Sequence, residues 1–306
     1  MFARNQPEAE PTHTWFGLLG CLRLGSNTPS LESIFNLSKL LSAKGRWHDG
    51  KMQIIGVLNP AAPAVFSVQL AHGADPHQLA YERGFRIIRP LSVNGAAPDI
   101  NFKVQLVPVT KTDSNSSASL PTVEVGLPDE KPEPRQRIAA YAIVLSARGL
   151  LATEFSDRTA VSGQWGLPGG GIQEGETPSQ AVIREAIEET GQSLELTQLI
   201  DIQTDHWVGL SPFNKVEDFH AVRIIYTGLC PNPRDIVIND TDGTTSAAAW
   251  IELDGWGAVN WTRAARTLLN RHMGRIQHGW DNNKLAALEI GQDSQQFDVE
   301  PNHGDN

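Results

Sequence analysis

Glu185, Glu188 and Glu189 have the type and spacing to hold a metal ion. They lie in the run WGLPGGGIQEGETPSQAVIREAIEETG, residues 165–191. On a helix, at about 100° per residue, Glu188 falls about 300° and Glu189 about 40° from Glu185, so the three carboxylates share one face. Ile183 and Ile187 fall about 160° and 200° from Glu185, which predicts a helix that buries its isoleucines and turns its acids outward. Carboxylates at these spacings repel one another. A hard divalent cation converts that repulsion into binding, because Mg²⁺ and Mn²⁺ prefer carboxylate oxygen. For the REAIEE segment alone, a solvated acidic face is the plainer reading; the glycine-rich turn before it tips the balance toward a site.

That helix has strong local signals. Thr177 suits an N-cap, Pro178 the first helical position, and Gln180 the return arm of a capping box. Gly191 stands where a helix end needs a left-handed residue.

Gly170, Glu176, Arg184, Glu185, Ala186, Glu188, Glu189 and Gly191 follow the spacing G-x5-E-x7-R-E-U-x-E-E-x-G-U, where U is aliphatic. In this the chain resembles the Nudix hydrolases. The last position is Gln192, a departure at a place expected to pack rather than react. The resemblance implies a Nudix-type α/β/α sandwich with a mixed sheet, and cleavage of a pyrophosphate bond in a nucleoside diphosphate linked to another group. It implies Mg²⁺, with Mn²⁺ as a substitute, held by Glu185, Glu188, Glu189 and the Gly170 carbonyl. Arg184 would fix the acids of the helix and Glu176 would orient from behind. Family members often recruit a further acid from outside the motif as ligand or base. Glu217 and Asp218, just before an expected strand, are candidates, with Asp205 as runner-up. The general base stays open, as do the residues that bind substrate. No motif selects one substrate. A nucleotide sensor that uses the fold for regulation, and an enzyme of capped or triphosphorylated RNA ends, are the alternative readings.

Charge bears on partners. The chain of 306 residues has a net charge of −10. Residues 1–130 are neutral, with 11 basic and 11 acidic side chains, so the excess lies in residues 131–306, with 14 against 24. An acidic half argues against a nucleic-acid polymer as partner. It leaves room for a small nucleotide that arrives with a metal. Two distant cysteines, Cys21 and Cys230, form no disulfide framework and suit the reducing cytoplasm. No apolar run is long enough to span a membrane. The stretch ending Leu18-Leu19-Gly20-Cys21 is a poor lipidation signal, because its apolar run is short and acids precede it.

The remaining elements must position the acids. Residues 1–111 read as a small α+β domain: an amphipathic helix over 30–43, then strands over 52–58, 64–71, 85–91 and 100–109. It carries no catalytic motif and could support a homodimer through apolar surface it does not cover. Residues 112–136, rich in Ser, Pro, Asp and Glu, read as a flexible linker. Residues 137–280 read as the hydrolase domain, with strands over 138–146, 149–155, 194–207, 219–229 and 247–253 and a closing helix over 262–273. Residues 281–306 read as a polar tail. The tryptophans at 165, 207, 250 and 256 could stack a base, but packing is the commoner role. His220 reads as a structural histidine, and no C-x-x-C or H-E-x-x-H zinc pattern is present.

Overall fold

Residues 100–106 show how the first sheet forms. Ile100, Phe102, Val104 and Leu106 are buried, while the residues between them face outward or lie half-buried, the period of a strand with one covered face. The computed structural model describes residues 50–110, 132–210, 216–240 and 243–281. The helix expected over 30–43, most of the expected linker and the C-terminal tail lie outside those residues.

Strands β1 (Lys51–Val57), β2 (Ala64–Gln69), β3 (Phe85–Ala96) and β4 (Asp99–Pro108) make a sheet in the order β2-β1-β4-β3, with β1 and β4 parallel. A short helix α1 (Pro76–Tyr81), capped by the Asp75 carboxylate, links β2 to β3. The second sheet has the order β11-β6-β5-β10-β9. Its members are β5 (Glu133–Ser146), β6 (Gly149–Phe155), β9 (Glu195–Leu210), β10 (Val216–Leu229) and β11 (Thr245–Ile251). Two short strands, β7 (Trp165–Gly166) and β8 (Gly169–Gly171), pair with β6 and β5. β5 and β10 run parallel and every other pair in this sheet is antiparallel, so the sheet is mixed.

β5 is apolar on both faces, as a central covered strand must be. Ala140, Ala142 and Val144 join one apolar cluster, and the alternate residues Ile143 and Leu145 join another. Helix α2 (Pro178–Thr190) packs on the first face through Ala181, Val182 and Ala186. Helix α3 (Arg263–Asp281) covers the second through Leu268, Leu269 and Met273. This is the expected sandwich, with the small mixed sheet placed before it in the chain.

Two boundaries differ from the sequence reading. β5 begins at Glu133, inside the stretch read as linker, because its first residues lie in parallel register with β10 from Glu217 onward. The first sheet also shares its apolar cluster with the second: Ile54, Phe102 and Val104 belong with Ile138, Val222 and Ile224. Limited proteolysis of the full chain is therefore expected to cut first within residues 112–132. The two products should then co-elute on gel filtration. Separation of the products would show that the halves fold without each other. Among the described residues, no helix is long and apolar enough to cross a membrane.

Candidate active site

Helix α2 begins as its sequence predicts. Thr177 accepts from the Gln180 backbone N–H and the Gln180 side chain accepts from the Thr177 N–H, with Pro178 opening the helix. Gly191 ends it in the left-handed region, at φ 71°. This fixes where the helix starts and stops, and so which residues face the glycine turn.

The buried face is not the one expected. Ile183 and Ile187 are exposed, while Ala181, Val182, Ala186 and Glu189 are buried. Small residues let the helix approach the sheet closely, and that approach carries Glu189 inward with them. Glu189 and Glu185 therefore point toward β8, while Glu188 stays on the more exposed rim with Arg184. The Gly169 N–H donates to Glu189 Oε2 at 3.1 Å, and the Thr245 hydroxyl donates to Glu189 Oε1 at 2.8 Å. Gly170 lies against Glu185, where an added Cβ would stand 2.5 Å from Oε1.

Arg184 organises the rim. Its Nε and Nη2 donate to the two oxygens of Glu176 at 2.8 and 2.9 Å, a bidentate pairing. Nη2 also reaches the Gly171 carbonyl at 3.0 Å. Nη1 lies 3.0 Å from both Glu185 Oε1 and Glu188 Oε2. The second oxygen of Glu176 accepts from the Gln173 N–H as well. One guanidinium thus ties the glycine turn, its loop and the acidic helix together.

The electrostatics follow from burial. Burial raises the Glu189 carboxyl first, and the charge of Glu185 adds to it, against smaller opposing bonds from Gly169 and Thr245. It moves from the ordinary 4.5 to about 8. Burial also raises Glu185, with Arg184 opposing and Glu188 adding. The sign of the consequence is fixed by linkage. The folded chain keeps a proton on Glu189 that the unfolded chain releases, so this contribution to stability is complete below about pH 4.5 and is lost as pH rises through about 8. Metal-free protein should therefore show a falling Tm between pH 5 and 8 that Glu189→Gln largely flattens. Calorimetry across that range checks it, and an unchanged slope in the variant contradicts it.

The three extra candidates are engaged elsewhere. Glu217 pairs with Arg135 at 2.7 Å. Asp218 accepts from His72 and His206. Asp205 pairs with Arg223 and Arg263, and it lines a groove of about 1470 Å³ whose lining includes none of the three glutamates. β8 pairs with β5 at Ala139–Tyr141, whereas Glu217 and Asp218 stand opposite Glu133 and Pro134. At ~3.3 Å per residue that is about 17–20 Å further along the strand direction. Gln192, the departure from the aliphatic pattern, is buried but not apolar in its contacts. Its amide accepts from the Arg234 N–H at 2.9 Å and donates to the Thr190 and Arg234 carbonyls. Trp165 and Trp256 pack against the α3-side cluster and Trp250 against the other, while Trp207 is exposed beside Phe219.

The NUDIX domain model matches residues 135–269. The nucleoside triphosphatase NudI of Enterobacter sp. (strain 638) is 31% identical over 135 residues, which span 43% of this chain and 93% of that protein. The chain belongs to the Nudix hydrolase family. The NudI protein of Klebsiella pneumoniae (strain 342) is 29% identical over 124 residues, 40% of this chain and 85% of its own length. Among solved structures, a MutT Nudix hydrolase from Burkholderia pseudomallei is 25% identical, covering 45% of this chain and 98% of its own, with a TM-score of 0.34. The protein is thus a Nudix-type pyrophosphohydrolase, with its Nudix motif on the β8 turn and helix α2. Thr245 is the residue of this site that sequence reasoning missed. It lies 56 positions from Glu189 and no local pattern marks it.

Proposed function

We propose that the protein hydrolyses a pyrophosphate bond in a small nucleotide, with Mg²⁺ or Mn²⁺ as cofactor. The observation that carries this is the placement of Glu185 and Glu189 against the glycine turn, with Glu188 joined to Glu185 through Arg184. The donors are all oxygen, the three acids outnumber the Arg184 and Arg137 guanidinium groups near them, and the Gly170 position has no room for a side chain. Such a set fits a hard divalent ion. Glu185, Glu188, Glu189 and the Gly170 carbonyl would hold it. Bound there, the ion would neutralise diphosphate charge and lower the pKa of an attacking water.

The protein's own residues set the geometry. Thr245 and the Gly169 N–H hold the Glu189 carboxylate in one orientation. Arg184, braced by Glu176, holds one oxygen each of Glu185 and Glu188. Support of this kind behind ligands typically changes metal affinity or activity by about 10- to 100-fold.

The NudI relatives are named as nucleoside triphosphatases. A nucleoside triphosphate is a nucleoside diphosphate linked to phosphate, so we take this substrate class first, in the cytoplasm where such nucleotides and reduced thiols coexist. The test is a panel of nucleoside triphosphates, dinucleoside polyphosphates and nucleotide sugars, with products separated by chromatography. Nucleoside monophosphate from the triphosphates is the expected product. Turnover confined to the other classes would reassign the substrate, and no turnover of any would overturn the reading.

A further inference from the structure

Three histidines and an aspartate meet at a second place, on strands β9 and β10 and the loop between β2 and α1. His206 and His220 stand directly opposite each other in the antiparallel pair, and Asp218 is two residues before His220 on the same face. His72 approaches from the loop. Its Nε2 lies 3.1 Å from Asp218 Oδ1, and His206 Nε2 lies 2.5 Å from the same oxygen. The ligand atoms of these three residues are all within 4.8 Å of one another. The imidazoles of His72, His206 and His220 form a triangle with centroids 5.5, 5.6 and 6.0 Å apart, each pair edge-on.

His220 is the independent observation. It is completely buried, and its Nε2 makes no well-formed hydrogen bond among the described residues, although the Ala74 backbone acts on the ring as a weak acceptor. Its tautomer can be deduced. The Gln136 amide nitrogen donates to the Gly50 carbonyl at 2.9 Å, so the amide oxygen faces His220 Nδ1 at 3.0 Å. An oxygen accepts only, so Nδ1 carries the proton and Nε2 keeps its lone pair. Burial, then the neighbouring His72 and His206, keeps this ring neutral, down at about 4 against a smaller pull from the Ala74 backbone and Asp75.

The surroundings hold the loop in place. The Thr204 hydroxyl donates to Asp75 at 2.6 Å. Gly73, at φ 74°, lies under the His206 ring, where a Cβ would meet ring atoms at 3.1–3.4 Å.

We propose that His72, His206 and Asp218, with the buried His220 ring beside them, form a site for a first-row divalent cation, Zn²⁺ in the first place, which pins the β2–α1 loop to the β9–β10 strand pair. Imidazole nitrogen suits Zn²⁺ and its neighbours, whereas Mg²⁺ requires oxygen. The glutamates of helix α2 and this cluster would therefore take different metals.

The experiment uses tag-free full-length protein, stripped of metal and kept in saturating Mg²⁺. Co²⁺ serves as the spectroscopic probe and Zn²⁺ as competitor. The expected result is one equivalent of Co²⁺ with the visible bands of a four-coordinate site, displaced by Zn²⁺, and a higher Tm with Zn²⁺. His72→Ala, on a partly exposed loop, should keep the fold and lose the bands and the Tm rise; His206→Ala should do the same. Glu189→Gln should leave the bands unchanged. Absence of bands in folded wild-type protein would overturn the proposal. So would bands that persist in both histidine variants, or that vanish with Glu189→Gln.

Discussion

Glu189→Gln is expected to fold and to lose nearly all turnover. The change keeps the size of the side chain and its acceptor oxygen, so the bond from Gly169 or from Thr245 can survive. It removes a carboxylate that burial raises to about 8, so the metal-free protein loses no ion pair. What disappears is the anionic ligand proposed for the metal. Lewis-acid stabilisation is worth several kcal/mol, so kcat should drop roughly 10²- to 10³-fold, with a metal-free Tm at pH 7 no lower than wild type. Wild-type turnover under saturating Mg²⁺ would remove Glu189 from the ligand set.

Gly170→Ala should be nearly as damaging for a different reason. The added Cβ would lie 2.5 Å from Glu185 Oε1 and 2.6 Å from its Cδ, so the carboxylate must move. The backbone itself is unstrained there, since the residue is not among the glycines at positive φ. The expected outcome is a folded protein, destabilised by about 1–3 kcal/mol through overpacking, with a kcat at least about 100-fold lower. Gly169→Ala supplies the contrast. That residue sits at φ 135°, and a Cβ would stand 2.2 Å from the Ala140 carbonyl oxygen in the paired strand. It should lose stability before activity can be measured. If Gly170→Ala retained full activity, close contact between the turn and Glu185 would have no part in the site.

Local signals were the most readable. The capping box at Thr177 and Gln180 and the left-handed Gly191 involve neighbours in sequence, and each forms as its chemistry predicts. Which face of helix α2 is buried was misread, because apolar size pointed to Ile183 and Ile187. Close approach to the sheet favours Ala181, Val182 and Ala186 instead, and an acid follows them inward. The start of β5 was hidden for a related reason. EPRQR looks like linker in composition, yet its pairing with β10 and the Arg135–Glu217 contact supply what composition lacks. The histidine cluster was out of reach. His72 is 134 positions from His206, and Asp218 with His220 looks like ordinary strand alternation until the register of β9 is known.

The most direct test of the account is the rate of nucleoside triphosphate cleavage as free Mg²⁺ is raised from zero in chelator-stripped, full-length protein. The account predicts no turnover in excess chelator and full recovery with Mg²⁺ alone, because the oxygen-lined glutamate site is the one that works. Turnover that persists in chelator, or that returns only with Zn²⁺, would contradict it.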